Sequence, residues 1–277
     1  MKRLNLPVAV GLGVLLAVLC ILPFVLRTYH LTIATVLLMN IILVVSFRLI
    51  TTSGNWSLAH IPLMGAGAYT AALLSRNFGW PFWALIPTGG FVAALVALAM
   101  SVPLVRTKGF AFFIASYAAG EAMRLMWARI ERPFGGWQGI QRIPRPAPFS
   151  IPGLATIDFS GRIPYYFITL GVMATCLFIM YRIDRSRIGD TFKSIAMQED
   201  LAKSTGINTA RYKMMALVIG SFFAGIVGVL QAHYFQNVDP NMFGFISTLY
   251  LLVWVVVGGT HTFIGPIIGV GVLTGVE

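Results

Sequence analysis

The sequence predicts an all-α fold: a polytopic bundle of transmembrane helices, about eight spans in all, some of them broken or re-entrant. Three observations predict it. Of the 277 residues, 57% are hydrophobic and 10% are charged, whereas ordinary globular chains carry about 25% charged residues. Mean hydropathy is +0.82. Uncharged stretches recur from one end of the chain to the other, near or above the length of about 20 residues that a bilayer-spanning helix needs.

The first stretch, Pro7 to Leu26, follows the basic pair Lys2 and Arg3. This is the outline of a signal peptide, but the run is a full span and no A-x-A site follows, so it reads as an uncleaved first span. Leu31 to Phe47 is the second. The third should begin near Arg48 to Pro62, where RLITTSGNWSLAHIP interrupts the apolar pattern. Irregular backbone survives at membrane depth only where protein or a water-filled cavity satisfies it. The segment is therefore either a broken helix lining a pathway or a tight turn at the membrane face. Trp56 to Ser75 and Asn77 to Val105 follow, and a further span runs from about Gly109 to Trp127.

Between Glu131 and Ile163 lie five prolines and several glycines. Proline removes a backbone donor and fixes φ, so residues 131–163 form an ordered external loop instead of one long helix. Ile163 to Tyr181 and Met214 to Val238 are spans on either side of a polar island, residues 182–213. The island holds seven of the 20 basic and four of the nine acidic residues. Its apolar positions Ile188, Phe192, Ile195, Ala196, Leu201 and Ala202 approach helical spacing, and Gly206 supplies a C-terminal stop. A short amphipathic helix or helix pair is expected, suited either to the membrane surface or to a groove on a soluble partner. The last run, Pro240 to Val276, is broken near His261 by Gly258, Gly259, Gly265, Pro266 and Gly269. Beyond Thr262 the remainder is short for a span, and the single domain 1–277 reads either as ending in mid-element or as C-terminally truncated.

Net charge is +11, but the basic residues lie in separate loops and make no nucleic-acid groove. They read as a topology signal. With the N-terminus inside, Lys2, Arg3, Arg48, Arg106, Lys108 and the seven island cations are cytoplasmic. Arg27, Arg76, Arg129, Arg132, Arg142, Arg145 and Arg162 are external. The excess places the island in the cytoplasm. Met214 to Leu230 carries Gly220, Ala224 and Gly228 at intervals of four, a small-residue seam for helix packing.

The chain has no Walker A pattern, no H-E-x-x-H, no paired carboxylates and no cysteine cluster. No ATPase site, metal or directly bound cofactor is expected. Cys20 and Cys176 read as packed thiols, and His30, His60, His233 and His261 as interfacial or packing residues. Glu121 and Arg124 lie within a span, where each charge costs about 2.5–3.5 kcal/mol on insertion scales. Three residues apart, they can pair; the alternative is that Glu121 faces the route or a gate.

These residues resemble a known family, the inner-membrane permeases of ATP-binding-cassette importers for branched-chain amino acids, specifically the M-type partner. The family's coupling segment, E-x-A-A-x-x-x-G-I after basic residues, is matched in order by Ser186-Arg187-Ile188-Gly189, Glu199-Asp200-Leu201-Ala202 and Gly206-Ile207. Gly54 to His60 is similar to its G-Q-x-S-L-G-H, Gly120-Glu121 with Arg124 to its G-E-x-x-R, and Val257-Gly258-Gly259 with Gly265-Pro266 to its glycine-proline pattern. Leu201, Asn55, Ala59 and His261 depart from the family residues at their positions.

The resemblance implies a bacterial inner-membrane subunit that pairs with a second, homologous permease, with lipid around it. Two cytoplasmic ATPase subunits would bind ATP, and a periplasmic solute-binding protein would deliver cargo. Arg187, Gly189, Glu199, Ala202 and Gly206 are the expected coupling residues. Asn55, Ser57, His60, Tyr69, Glu121 and Arg124 are the expected pathway or gate residues. The departures leave the solute open among branched-chain amino acids, urea, amides and other small molecules. A stand-alone ion-coupled carrier using Glu121 is the alternative.

Overall fold

The computed structural model describes residues 19–24, 27–107, 109–146, 149–150, 156–157, 161–260 and 262–274. Lys2, Arg3, most of the first span, Lys108, His261 and Glu277 lie outside the described residues. A short helical piece, α1 (19–24), precedes α2 (Thr28–Thr51), α3 (His60–Phe78), α4 (Phe82–Leu104) and α5 (Phe110–Arg129). After the loop at 131–161 come α6 (Arg162–Asp184), the island helices α7 (Arg187–Met197) and α8 (Glu199–Ser204), α9 (Thr209–Phe235), α10 (Phe245–Gly258) and α11 (Gly265–Thr274).

Among the described residues, five segments are long and apolar enough to cross a membrane: Thr28–Thr51, Phe82–Leu104, Arg162–Asp184, Thr209–Phe235 and Pro240–Gly258. Helices α3 and α5 have 19 and 20 residues, which also reach across a hydrocarbon core at 1.5 Å per residue. Their composition is less apolar because α3 is rich in glycine and alanine and is mostly buried by protein, while α5 carries Glu121 and Arg124. The expected eight or so spans are roughly consistent with this set.

Helix α9 is the axis of the bundle, with α2, α3 and α4 packed around it. Missing side chains make that packing possible. A Cβ at Gly67 of α3 would run into the Gly225 backbone of α9, and one at Gly228 would meet the Met64 carbonyl of α3. A Cβ at Gly220 would lie 2.6 Å from Ile50 of α2. Between lipid-solvated helices there is no hydrophobic drive to associate, so such close backbone approach supplies the dispersion contacts that hold them. Ala224 is completely buried on the same helix.

Helix ends follow local chemistry. At the end of α3, Gly79 has φ +61°, and Trp80 N donates to Leu74 O while Gly79 N donates to Ser75 O. This glycine stop turns the chain into α4 through Pro81. Asn208 caps α9 by accepting from Arg211 N at 3.1 Å. The segment between α5 and α6 is tied to the bundle where β1 (Ile140–Gln141) pairs antiparallel with Asn237–Val238 after α9. Phe149–Ser150 pairs with Thr156–Ile157.

One expectation needs correction. Cys176 is buried, but Cys20 is exposed on α1 and is not a packed thiol.

Candidate functional site

The island is a helical bracket. Ser186 opens α7, its Oγ accepting from Gly189 N at 3.5 Å. Gly189 is buried against the end of α6, where a Cβ would crowd the Asp184 and Ile183 carbonyls. Phe192 and Ile195 face inward, and Phe192 lies edge-on to Tyr212 of α9 at 6.3 Å. The helix breaks at Gln198, which is extended at φ −157°, ψ 97°, and α8 starts at Glu199.

Glu199 braces the bracket from within. Its carboxylate is 2.7 Å from Lys213 Nζ on α9 and 3.0 Å from Lys203 Nζ on α8, and it accepts from Thr209 Oγ1 at 3.1 Å. Burial would raise this carboxyl, but the hydrogen bonds from Lys213, Lys203 and Thr209 hold it down, at about 2. Ala202 is buried beneath α8. Gly206 has φ +85° with no atom near a would-be Cβ, so its requirement is conformational alone. Arg187 is exposed. The outward face presents Met197, 89% exposed, and Leu201, 59% exposed.

The α2–α3 connection meets the bracket. A Cβ at Gly54, φ +83°, would lie 3.2 Å from Ala196 Cα on α7. The connection is a turn at residues 52–54 that continues into irregular backbone, partly buried. Asn55 and Ser57 are buried, and the Leu58 amide donates to Ser116 Oγ of α5 at 3.0 Å. His60 is fully buried, its Nε2 2.9 Å from Ser46 Oγ and its ring edge-on to Phe47 at 5.4 Å. Among the described residues, Ser57 Oγ and His60 Nδ1 have no hydrogen-bond partner. Such buried polar atoms are uncommon and mark a place where polar contact is still available.

Tyr69 is elsewhere. Nine residues along α3 from His60, about 13.5 Å at 1.5 Å per residue, it sits toward the opposite end of the bundle. There its ring lies 4.6 Å from that of Trp127, tilted by 31°, and near Phe134 and Phe243. Its hydroxyl has no hydrogen-bond partner among the described residues. Glu121 and Arg124 pair on α5, with Arg124 Nε 2.9 Å from Glu121 Oε2 and the guanidinium 5.6 Å from the Trp137 ring. Gly120 lets this helix approach α3: a Cβ there would lie 2.9 Å from Pro62.

A second ionic node was missed from the sequence. Arg48, only 2% exposed, is 3.2 Å from Asp184 Oδ1, and its Nε donates to Thr260 O at 3.0 Å. Lys193 of α7 lies 3.6 Å from Asp184 Oδ1. In the sequence, Arg48 looked like one more loop cation, and its partners are too distant along the chain for any spacing rule to find. Among the described residues, no group of three His, Cys, Asp or Glu is placed to hold a metal.

The chain is similar to the high-affinity branched-chain amino acid transport system permease protein LivM of Escherichia coli (strain K12) and to that of Salmonella typhimurium. Each is 29% identical over 255 residues, covering 86% of this chain and 60% of the relative. It is also similar to the permease protein LivH of Salmonella typhimurium, 32% identical over 107 residues, 39% of this chain and 33% of that one. The chain thus spans about 60% of the length of the LivM relatives. No solved structure matches. The model of the family described as branched-chain amino acid transport system, permease component, matches residues 29–277. This chain belongs to that family.

Proposed function

We propose that this chain is one of two permease subunits of an ATP-driven importer in the bacterial inner membrane, carrying branched-chain amino acids or a related small solute. The observation that carries the reading is the α7–α8 bracket. Two apolar side chains, Met197 and Leu201, stand out from a charged, internally braced segment at one end of an apolar bundle. A helix pair of this kind fits a groove on a soluble protein. The island would face the cytoplasm, as would the N-terminus, and two separate ATPase subunits would bind ATP and dock on the islands of the two permeases. The external loop 131–163, with Arg132, Arg142, Arg145 and Arg162 around it, would receive a solute-binding protein.

Within this scheme ATP binding draws the ATPases together and pushes on α7 and α8. Alternation follows only if the ATPases bind the inward- and outward-open forms with different free energies. Arg187, Gly189, Glu199, Ala202 and Gly206 form or hold the docking bracket. Asn55, Ser57 and His60, buried beside the α2–α3 turn and the last two with unpartnered polar atoms, are the inner pathway residues. Tyr69 belongs to an outer constriction with Trp127, Phe134 and Phe243. The Glu121–Arg124 pair braces α5. Gly220, Ala224 and Gly228 hold the bundle axis.

The test is co-purification from the native host in mild detergent, followed by mass spectrometry. Recovery of a second permease and a P-loop ATPase, with the ATPase alone lost in Met197→Glu/Leu201→Glu, is the expected result. Recovery of the chain by itself, moving solute in vesicles under an ion gradient without ATP, would replace this reading with the Glu121-based carrier.

A further inference from the structure

Among the described residues, the α10–α11 break is tied to the rest of the bundle by the Arg48 guanidinium of α2 and by the Phe263 ring, which lies edge-on to Tyr181 of α6 at 5.5 Å. Gly259, at φ +78°, ends α10, and the chain crosses Thr260 to Ile264 before α11 begins at Gly265. Thr262 Oγ1 accepts from Gly265 N at 3.0 Å and caps the new helix. Arg48, at the end of α2, holds this crossing twice. Its Nε donates to Thr260 O at 3.0 Å, and its guanidinium lies 5.7 Å from the centre of the Phe263 ring.

The other side of Arg48 faces the island. Asp184 closes α6 and is 3.2 Å from Arg48 Nη1. Lys193, on the second turn of α7, is 3.6 Å from the same carboxylate oxygen and donates to the Asp184 main-chain carbonyl at 2.9 Å. Lys193 also lies 3.9 Å from Asp190, on its own helix. An ammonium on the last carbonyls of a helix is favoured by the helix dipole. Three charged groups therefore run in a line from α7, through the end of α6 and the end of α2, to the break between α10 and α11. Only the Lys193 end is substantially exposed: its side chain is 41% accessible, against 2% for Arg48 and 8% for Asp184.

Two physical facts make this line more than a brace. A buried guanidinium with a single nearby carboxylate cannot let that carboxylate go without being left uncompensated, so the two move together. The planar fork of arginine fixes the angle between its two partners, which an ammonium would not do. A shift of α7 that carries Asp184 with it must then carry Arg48, and with Arg48 the Thr260 carbonyl.

We infer that Arg48 is a positioning residue that transmits displacement of α7, received at Lys193 and Asp184, to the turn between α10 and α11. The inference deepens the importer reading and rests on it for the origin of the push. The mechanical link itself belongs to the isolated chain.

The experiment therefore has two arms. In the first, the full chain alone in lipid nanodiscs is followed by hydrogen exchange. Asp184 does not hydrogen-bond the crossing, so Asp184→Asn should speed exchange at Thr262 to Val270 about tenfold while leaving α3 unchanged, as local opening free energies allow. Lys193→Met keeps the buried pair and should speed the same amides less; it serves if Asp184→Asn does not fold. Loosening confined to the end of α6 in both variants overturns the inference.

In the second arm, the complex recovered with the wild-type chain is assayed for solute moved per ATP hydrolysed. Arg48→Lys keeps the charge and loses the fork. It should lower that ratio about tenfold, within the range of ordinary coupling energies, at unchanged subunit recovery. Transport and ATP hydrolysis falling in parallel overturns the inference. If no ATPase accompanies the wild-type chain, the importer reading fails, and the exchange arm still decides the link.

Discussion

Glu199 and Lys213 lie 2.7 Å apart, carboxylate to ammonium, and the pair fastens the last helix of the island to the first turn of the central helix α9. The expected coupling residue is thus turned inward, as a strut beneath the exposed apolar face. Reversing its charge by Glu199→Lys would leave Lys203 and Lys213 facing a third cation. Uptake should be lost with the protein still inserted, and a spin label at the exposed Thr205 should report high mobility where the wild type reports low.

The same strut sets an acid limit. Its folded pKa of about 2 lies below the ordinary 4.5, so its stabilisation is complete above about pH 4.5 and is lost as pH falls toward about 2. Mobility at Thr205 should be flat from pH 7 to about 5 and rise below it. In Glu199→Gln the label should be mobile at pH 7 already, with no such rise.

Gly206 separates conformation from contact. A β-branched residue at φ +85° is strained by roughly 1–2 kcal/mol, whereas asparagine tolerates the left-handed region. Gly206→Val should reduce uptake about tenfold or more, and Gly206→Asn should retain most of it, at equal membrane levels by immunoblot.

Replacing Gly228 tests the bundle axis. A leucine there meets the Met64 carbonyl and the Ala68 amide, which are backbone and cannot rotate away. Overpacking costs typically about 1–3 kcal/mol, and contact with rigid backbone belongs at the upper end. Thermal unfolding in detergent should show a clear fall in midpoint for Gly228→Leu and little change for Gly171→Leu, since nothing lies near Gly171.

Glu121 is held by Arg124, and this predicts the outcome of its neutralisation. Glu121→Gln should lower the amount of inserted protein, because Arg124 loses its carboxylate, while uptake per inserted molecule stays near wild type and insensitive to collapse of the proton gradient. Uptake per molecule that vanishes, in a wild type driven by the proton gradient, would point to the carrier.

Much of the fold was legible because lipid imposes a length on apolar runs and glycine and proline mark their ends. The break at Gly258–Gly259 follows from such marks, whereas the α3–α4 reversal falls at Gly79, inside the apolar run read as Asn77 to Val105. The break at Gln198 was not legible, since apolar residues continue at near-helical spacing across it from Ile195 to Ala202. Asn55, Ser57, His60 and Tyr69 were grouped by proximity in sequence. The structure keeps the first three together and carries Tyr69 along α3 into the Trp127 cluster, because a helix converts nine residues into axial distance. Arg48 and Asp184 are 136 positions apart, and no periodicity connects them.

The glycine contacts among α3, α4 and α9, where a Cβ at Gly225 of α9 would also lie 2.5 Å from the Gly89 carbonyl of α4, set what can move. Where backbone rests on backbone there are no side-chain rotamers to absorb a sliding step, so those three helices should behave as one stiff beam through any transport cycle. Rearrangement is then left to parts joined by side chains and turns, namely α5, the α10–α11 pair and the two island helices. Access would alternate by swinging these lighter pieces against a fixed keel.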